Sequence, residues 1–260
     1  MEYISLGRAK MLVSRVAFGA MSLDCKEIED FGPDADEKVS EIVHKAYEGG
    51  MNFFDLSHTR PECERRLGAA LHGIRHNVNI CTKSAAQTVS DLRQDLEESL
   101  ELLESDSVEL YEFDNLGIVP KKDGPDGLYN EMLRLQQKGE VGHIGFATES
   151  VELAQEAVES GLYDAVQFPF SILTDKKSQD LVRLCAERDV GCVASQPLCG
   201  GLVANIPLAL GFFLQFENVS PVWGVHTMEE LEQILYFNSH PPVIDEQFKK
   251  EVERERFLFN

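Results

Sequence analysis

Eight times along the chain a short apolar run gives way to a stretch with helical periodicity, and no other feature constrains the fold as strongly. RVAFGA (15–20) precedes DEKVSEIVHKAYEGG (36–50), whose Val39, Ile42, Val43 and Ala46 share one helical face before the chain closes on glycine. MNFFD (51–55) precedes ERRLGAALHG. NVNICTK (77–83) precedes VSDLRQDLEESLELLES, with a stripe of Leu92, Leu96, Leu100 and Leu103. SVELYEF (107–113), VGHIGFA (141–147), YDAVQF (163–168), VGCVASQ (190–196) and VSPVWG (219–224) are each followed by a helical stretch in the same way.

Eight strand-then-helix units with no linker between them predict a closed parallel barrel ringed by helices, the (β/α)8 TIM barrel, over an open sheet. The 260 residues, 43% of them apolar, suit a single domain spanning 1–260. No G-x-G-x-x-G follows any strand, which removes the main reason to expect a Rossmann fold. The opening EYISLG…MLVS reads as a β-hairpin ahead of the first barrel strand, placed to plug the barrel bottom.

Acidic residues outnumber basic ones 45 to 24, for a net charge of −21, and no long Lys/Arg cluster interrupts them. Such a field repels phosphate backbones and anionic lipid, so neither nucleic acid nor membrane is expected as a partner. Cys81, Cys185 and Cys192 sit in apolar runs and read as reduced core thiols. MEYISLGRAK has no apolar core of a signal peptide, and LVANIPLALGFFL (202–214) is too short to span a bilayer. A soluble cytoplasmic protein is expected.

In barrels of this kind function sits where strands run into the loops at the C-terminal rim. Strand two ends in Asp55, strand three in Lys83 and strand four in Asp114. Asp55 beside Lys83 would hold the ammonium charged and oriented, either as a structural ion pair or to tune an acid or clamp an anion. After strand seven, PLCGGLV (197–203) offers two glycines that let backbone N–H groups approach a phosphate, although Gly-Gly is more often a plain turn.

Over nearly its whole length the chain resembles the aldo/keto reductase family. EYISLGRAKMLVSRVAFGAMSL is similar to that family's hairpin and first strand, GGMNFFDLS to its second strand, ICTKS to its third, and LRQDLEESLELLESDSVELYEF to the helix and strand that follow. LQQKGEVGHIGFAT, DAVQFPFSIL, PLCGGL and VWGVHTMEELEQIL continue the match in order. The branch it most resembles usually carries a C-terminal iron–sulfur module, but EVERERFLFN holds no cysteine, so no iron–sulfur cluster is expected.

The resemblance implies reduction of a small-molecule carbonyl by NADPH or NADH, with NADPH favoured by family likeness alone. It also implies a tetrad of Asp, Tyr, Lys and His in which the tyrosine passes a proton to the developing alkoxide. Asp55 and Lys83 match that tetrad, whereas Arg60 stands at the tyrosine position and Asp114 at the histidine position. Arginine stays charged and is no ordinary proton donor, though it can grip an oxyanion. Arg60 and Asp114 could instead pair as a salt bridge, and His58 is a substitute donor by type and proximity.

For the cofactor, the resemblance implies that Thr148, standing beside Ala147 in place of a Ser-Asn pair, and Gln167 hold the carboxamide. Phe170 would stack on the nicotinamide, and Pro197, Leu198, Gly200 and Gly201 would line the pyrophosphate stretch. Trp223, Gly224, His226 and Thr227 border the adenosine end, where neighbouring glutamates weaken the case for a 2′-phosphate. Three readings remain: a reductase with altered proton transfer; a catalytically inactive barrel binding a nucleotide or anionic metabolite as a sensor or partner subunit; and, with least support, a lyase or isomerase with Lys83 as base or Schiff-base nucleophile. No metal site and no oligomeric state are read from the sequence.

Overall fold

The computed structural model describes residues 1–259. Two short strands, β1 (Tyr3–Leu6) and β2 (Met11–Ser14), pair antiparallel with Leu6 opposite Met11. The chain enters β3 (Ala17–Gly19), passes the one-turn α1 (Lys26–Glu29) and reaches α2 (Ala35–Glu48). Then follow β4 (Phe53–Asp55), α3 (Pro61–Ala70), β5 (Asn79–Ser84), α4 (Val89–Leu102), β6 (Val108–Asp114) and α5 (Leu128–Lys138). The second half runs β7 (Val141–Ala147), α6 (Val151–Ser160), β8 (Ala165–Pro169), α7 (Lys176–Glu187), β9 (Gly191–Ser195) and α8 (Ile206–Phe213). It finishes with β10 (Val219–Gly224), α9 (Met228–Ser239) and α10 (Glu246–Phe259).

Strands β3 to β10 close into a parallel barrel in the order β10-β3-β4-β5-β6-β7-β8-β9, with β1 and β2 a separate hairpin. This is the (β/α)8 architecture predicted from the alternation. Boundaries differ where local chemistry decides them. Helix α3 begins at Pro61, three residues before the predicted ERRLGAALHG, because proline's fixed φ suits the first helical position. Helices α4, α6, α7, α8 and α9 each start behind a cap whose side chain accepts a backbone N–H: Thr88, Ser150, Asp175, Asn205 and Thr227.

Side chains alternate across each strand, and the inward set changes character along the barrel axis. At the bottom, Phe53, Cys81, Leu110, Ala165 and Val193 pack with Ile4, Leu6 and Val13 of the hairpin. The hairpin is therefore the expected plug. Its turn is tied down by Arg8, whose backbone N–H donates to the Asp189 carbonyl at 2.6 Å and whose guanidinium donates to the Arg188 and Gly161 carbonyls. A larger apolar layer fills the space between barrel and helices. Two residues beyond Phe53, Cys81 and Leu110 on the same inward faces come Asp55, Lys83 and Glu112. All six cysteines are free thiols, and Cys81, Cys185 and Cys192 are buried as expected. Among the described residues no helix is long and apolar enough to cross a membrane.

Candidate active site

The register of the barrel brings the sequence-predicted pair together. Gly19 of β3 lies beside Asp55, Asp55 beside Cys81, and Lys83 beside Glu112. Lys83 Nζ donates to Asp55 Oδ1 at 2.7 Å, and both side chains are almost fully buried. Burial opposes the ammonium charge, but the attraction of the Asp55 carboxylate outweighs it and holds Lys83 above the usual lysine range.

Glu112 is the site residue that the strand-end reading missed. It is fully buried, its Oε2 lies 3.7 Å from Lys83 Nζ, and neither carboxylate oxygen has a hydrogen-bond partner among the described residues. Burial pushes its carboxyl up to about 8, against the pull of Lys83. Room for it comes from Gly145 on β7, where a Cβ would stand 2.6 Å from Glu112 Oε1 and 2.7 Å from its Cγ. The sequence did carry a signal. In VELYEFD the inward face reads Val108, Leu110, Glu112, Asp114, and a strand register would have set Glu112 against Lys83.

Asp55, Cys81 and Glu112 present ligand atoms within 4.8 Å of one another, a spacing that could suit a metal ion. The Lys83 ammonium already lies against both carboxylates, so the cation position is taken.

The remaining tetrad candidates are arranged differently from expectation. Arg60 does not pair with Asp114. Its guanidinium turns outward, 45% exposed, and makes a two-pronged ion pair with Asp24 on the loop after β3, one contact of which is Nε to Oδ2 at 2.9 Å. Asp114 instead accepts from Ser57 Oγ at 3.1 Å and from the Asn115 amide. His58 is not brought to the Asp55–Lys83 pair. Its backbone N–H donates to the Lys83 carbonyl, but the ring lies between α3 and α4, 3.2 Å from Glu64 and 3.0 Å from Ser99 through Nδ1. Asp95 and Glu98 face its Nε2, and the Glu64 hydrogen bond holds its pKa above the ordinary histidine value. Glu64, fully buried, is satisfied from the other side by Thr82 Oγ1 at 2.7 Å, so this group reads as a closed polar network behind the barrel wall.

On the opposite side of the mouth, Gln167 is 4% exposed, and its side-chain amide makes no hydrogen bond among the described residues. Its backbone carbonyl accepts from the Thr148 N–H at 2.9 Å, which sets the two residues side by side. Phe170 does not present a ring face there. It is fully buried in an aromatic cluster with Phe168, Phe212, Phe213 and Phe216, because the chain turns its side chain outward beneath α8. The inward position at the end of β9 is Ser195, which carries no ring.

Between the loops after β9 and β10 lies a cavity of about 410 Å³. Its first wall is Pro197, Leu198, Gly200 and Gly201. The two glycines have φ of +65° and +93°, conformations that favour glycine, and a Cβ on either would point into open space. Its second wall is Trp223, Gly224, His226 and Glu230. Trp223 is 1% exposed, with its Nε1 unpartnered. The Glu230 carboxylate accepts from the His226 backbone N–H at 2.8 Å and lies 3.0 Å from its Nδ1, while Thr227 caps α9. An acidic side chain thus already sits at the positive end of that helix, where an anion would otherwise be favoured. Among the described residues no lysine or arginine lines the cavity.

The comparisons agree with this architecture. The family model described as "Aldo/keto reductase family" matches residues 15–206. The chain is 23% identical over 217 residues to the oxidoreductase YqkF of Bacillus subtilis, a match covering 78% of this chain and 67% of that one. It is 26% identical over 224 residues to the L-galactose dehydrogenase of Arabidopsis thaliana, covering 78% and 67%. Among solved structures, the holo form of the aldo-keto reductase AKR11C1 from Bacillus halodurans superposes with a TM-score of 0.82 at 19% identity, over 98% of this chain and 96% of that one. At that identity the likeness speaks to the fold alone.

Proposed function

This chain belongs to the aldo/keto reductase family, and on that premise we propose that it binds a nicotinamide dinucleotide and slowly reduces a small-molecule carbonyl at the Asp55–Lys83 pair. The single observation that carries the reading is the buried 2.7 Å Lys83–Asp55 contact at the barrel mouth, across from an unengaged Gln167 amide. The dinucleotide, when bound, supplies the hydride. Gln167 and Thr148 would hold its carboxamide, and Gly200 and Gly201 its pyrophosphate, which fits the open cradle those glycines form.

Asp55 orients the lysine, and Lys83 Nζ carries the charge and the proton that face a developing alkoxide. A lysine held above its usual pKa is a reluctant acid, and no tyrosine assists it at position 60. Removal of a positioned acid typically lowers the rate by ~10²–10⁴-fold. Slow turnover is the consequence. The ring of Phe170 plays no part in this reading.

Glu230 at the start of α9 and the absence of a lining cation favour a dinucleotide without a 2′-phosphate, hence NADH over NADPH. The test is titration with each cofactor, following the fluorescence of Trp223, the single tryptophan, with calorimetry as a check. NADH should bind at least about tenfold more tightly, a difference of about 1.4 kcal/mol. Equal affinity would sink the cofactor assignment. No response to either would move the chain to a second reading, a non-catalytic barrel that binds another anionic metabolite. That alternative draws on Arg60 being committed to Asp24 away from the pair.

A further inference from the structure

Glu112 is a buried group that the scheme above leaves unused. A carboxylate surrounded by protein normally gathers several donors, and one left without any bears a heavy desolvation cost. Among the described residues neither buried oxygen of Glu112 has a partner at hydrogen-bond geometry. The nearest cation, Lys83 Nζ, is 3.7 Å away, beyond hydrogen-bond length, because it is drawn to Asp55 at 2.7 Å. The charged and titratable groups facing Glu112 are Asp55 on β4, Cys81 and Lys83 on β5, and Asp114 two residues on along β6, while on β7 the backbone of Gly145 lies against it. Cys81, fully buried, is held well above the usual thiol range and stays neutral. Two carboxylates therefore contend for one ammonium, and Glu112, which Lys83 does not hydrogen-bond and which only the weak thiol donor of Cys81 approaches, is the one that keeps its proton. Gly145 has no side chain where the acid lies, so the space is shaped to it.

We propose that Glu112 is a positioning residue that stores a proton for Lys83, so that the proton Lys83 gives to the substrate oxygen is replaced from within the barrel. The proposal rests on the reductase reading. An N–H bond of Lys83 breaks as the O–H bond of the alcohol forms, and the Glu112 O–H bond breaks as the Lys83 N–H bond is restored. Both electrons arrive with the hydride that the dinucleotide supplies, leaving its nicotinamide ring positive. Glu112 ends the turnover negative, so the total charge of the pocket is unchanged. The oxidised dinucleotide, with its positive nicotinamide ring, accordingly prefers ionised Glu112, and the reduced one prefers the acid.

Two measurements on the intact chain test this. Infrared difference spectra should contain a protonated-carboxyl band that is missing from Glu112→Gln and fades with a midpoint at about pH 8. In Lys83→Met, which leaves Glu112 itself unaltered, the midpoint should move upward because the ammonium's attraction is gone. A spectrum without that band near neutrality overturns the proposal. In the second, NAD+ affinity should fall by up to about tenfold for each pH unit below that midpoint, while NADH affinity stays flat there. Glu112→Gln should abolish the slope, and a slope that survives the substitution overturns the coupling. If neither dinucleotide binds at any pH, the reductase reading fails and the proton-supply role falls with it, while the infrared band still reports separately on the proton of Glu112.

Discussion

The two ends of the barrel interior are built from the same strands and do opposite things. At the bottom, Phe53, Cys81 and Leu110 meet Ile4, Leu6 and Val13, an apolar seal from which water is excluded. Two residues further along β4, β5 and β6, the same inward faces carry Asp55, Lys83 and Glu112, three ionisable groups with only one good hydrogen bond among them. The contrast teaches that one end supplies stability and the other draws on it: a buried polar cluster left partly unsatisfied costs free energy that must be offset elsewhere.

The largest expected effect concerns pH. Glu112 has its folded pKa raised from 4.5 to about 8, so the acid is favoured in the folded chain. Its contribution is fully present below about pH 4.5 and is lost as pH rises through about 8, at up to about 1.4 kcal/mol per unit. Urea unfolding of Glu112→Gln against the parent across that window should show a shallower decline for the variant. Parallel declines would remove Glu112 as the weak point of the upper end.

Next in size, Lys83→Met should cost about 3–5 kcal/mol by stranding the buried Asp55 charge, together with near-complete loss of any reductase activity. A stable variant would mean that Asp55 takes up a proton on losing its partner, visible as a reversal of the penalty at low pH. Leu6→Ala at the bottom should cost about 2–5 kcal/mol by leaving a cavity, with dinucleotide affinity measured by calorimetry nearly unchanged. A fall in affinity as large as the fall in stability would break the separation of the two ends. The smallest effect sharpens the comparison from outside the barrel. Thr227→Ala should cost about 1 kcal/mol through loss of the α9 cap, read as a shift in thermal midpoint.

The architecture was legible because it rests on periodicity, which a sequence displays directly. Eight alternations, an opening hairpin and glycine-closed helices are local patterns. The Asp55–Lys83 pair was legible too, since both residues stand near strand ends, where a barrel must bring them together. Partnerships fixed by three-dimensional choice among equals were not legible. Arg60 had two acids within reach of the mouth, and the helix beginning at Pro61 aims it at Asp24 and away from Asp114. His58 faces the helices because Glu64 and Ser99 wait there, contacts separated by 6 and 41 positions along the chain. Phe170 has the right type for a stacking ring, yet it faces the aromatic underside of α8. Glu112 was hidden by its neighbours, since Tyr111 and Phe113 make the run look like an ordinary half-buried strand.

The hairpin seal has one more consequence. A chamber closed at the bottom has a single door, and the Glu112 proton must leave through the aperture by which any ligand enters. A molecule lodged in the mouth would cork the chamber, so that a proton could pass among Glu112, Lys83 and the guest but not out to solvent. Exchange with solvent would then wait on departure of the guest, so the order of events at the door would set the tempo of the whole cycle.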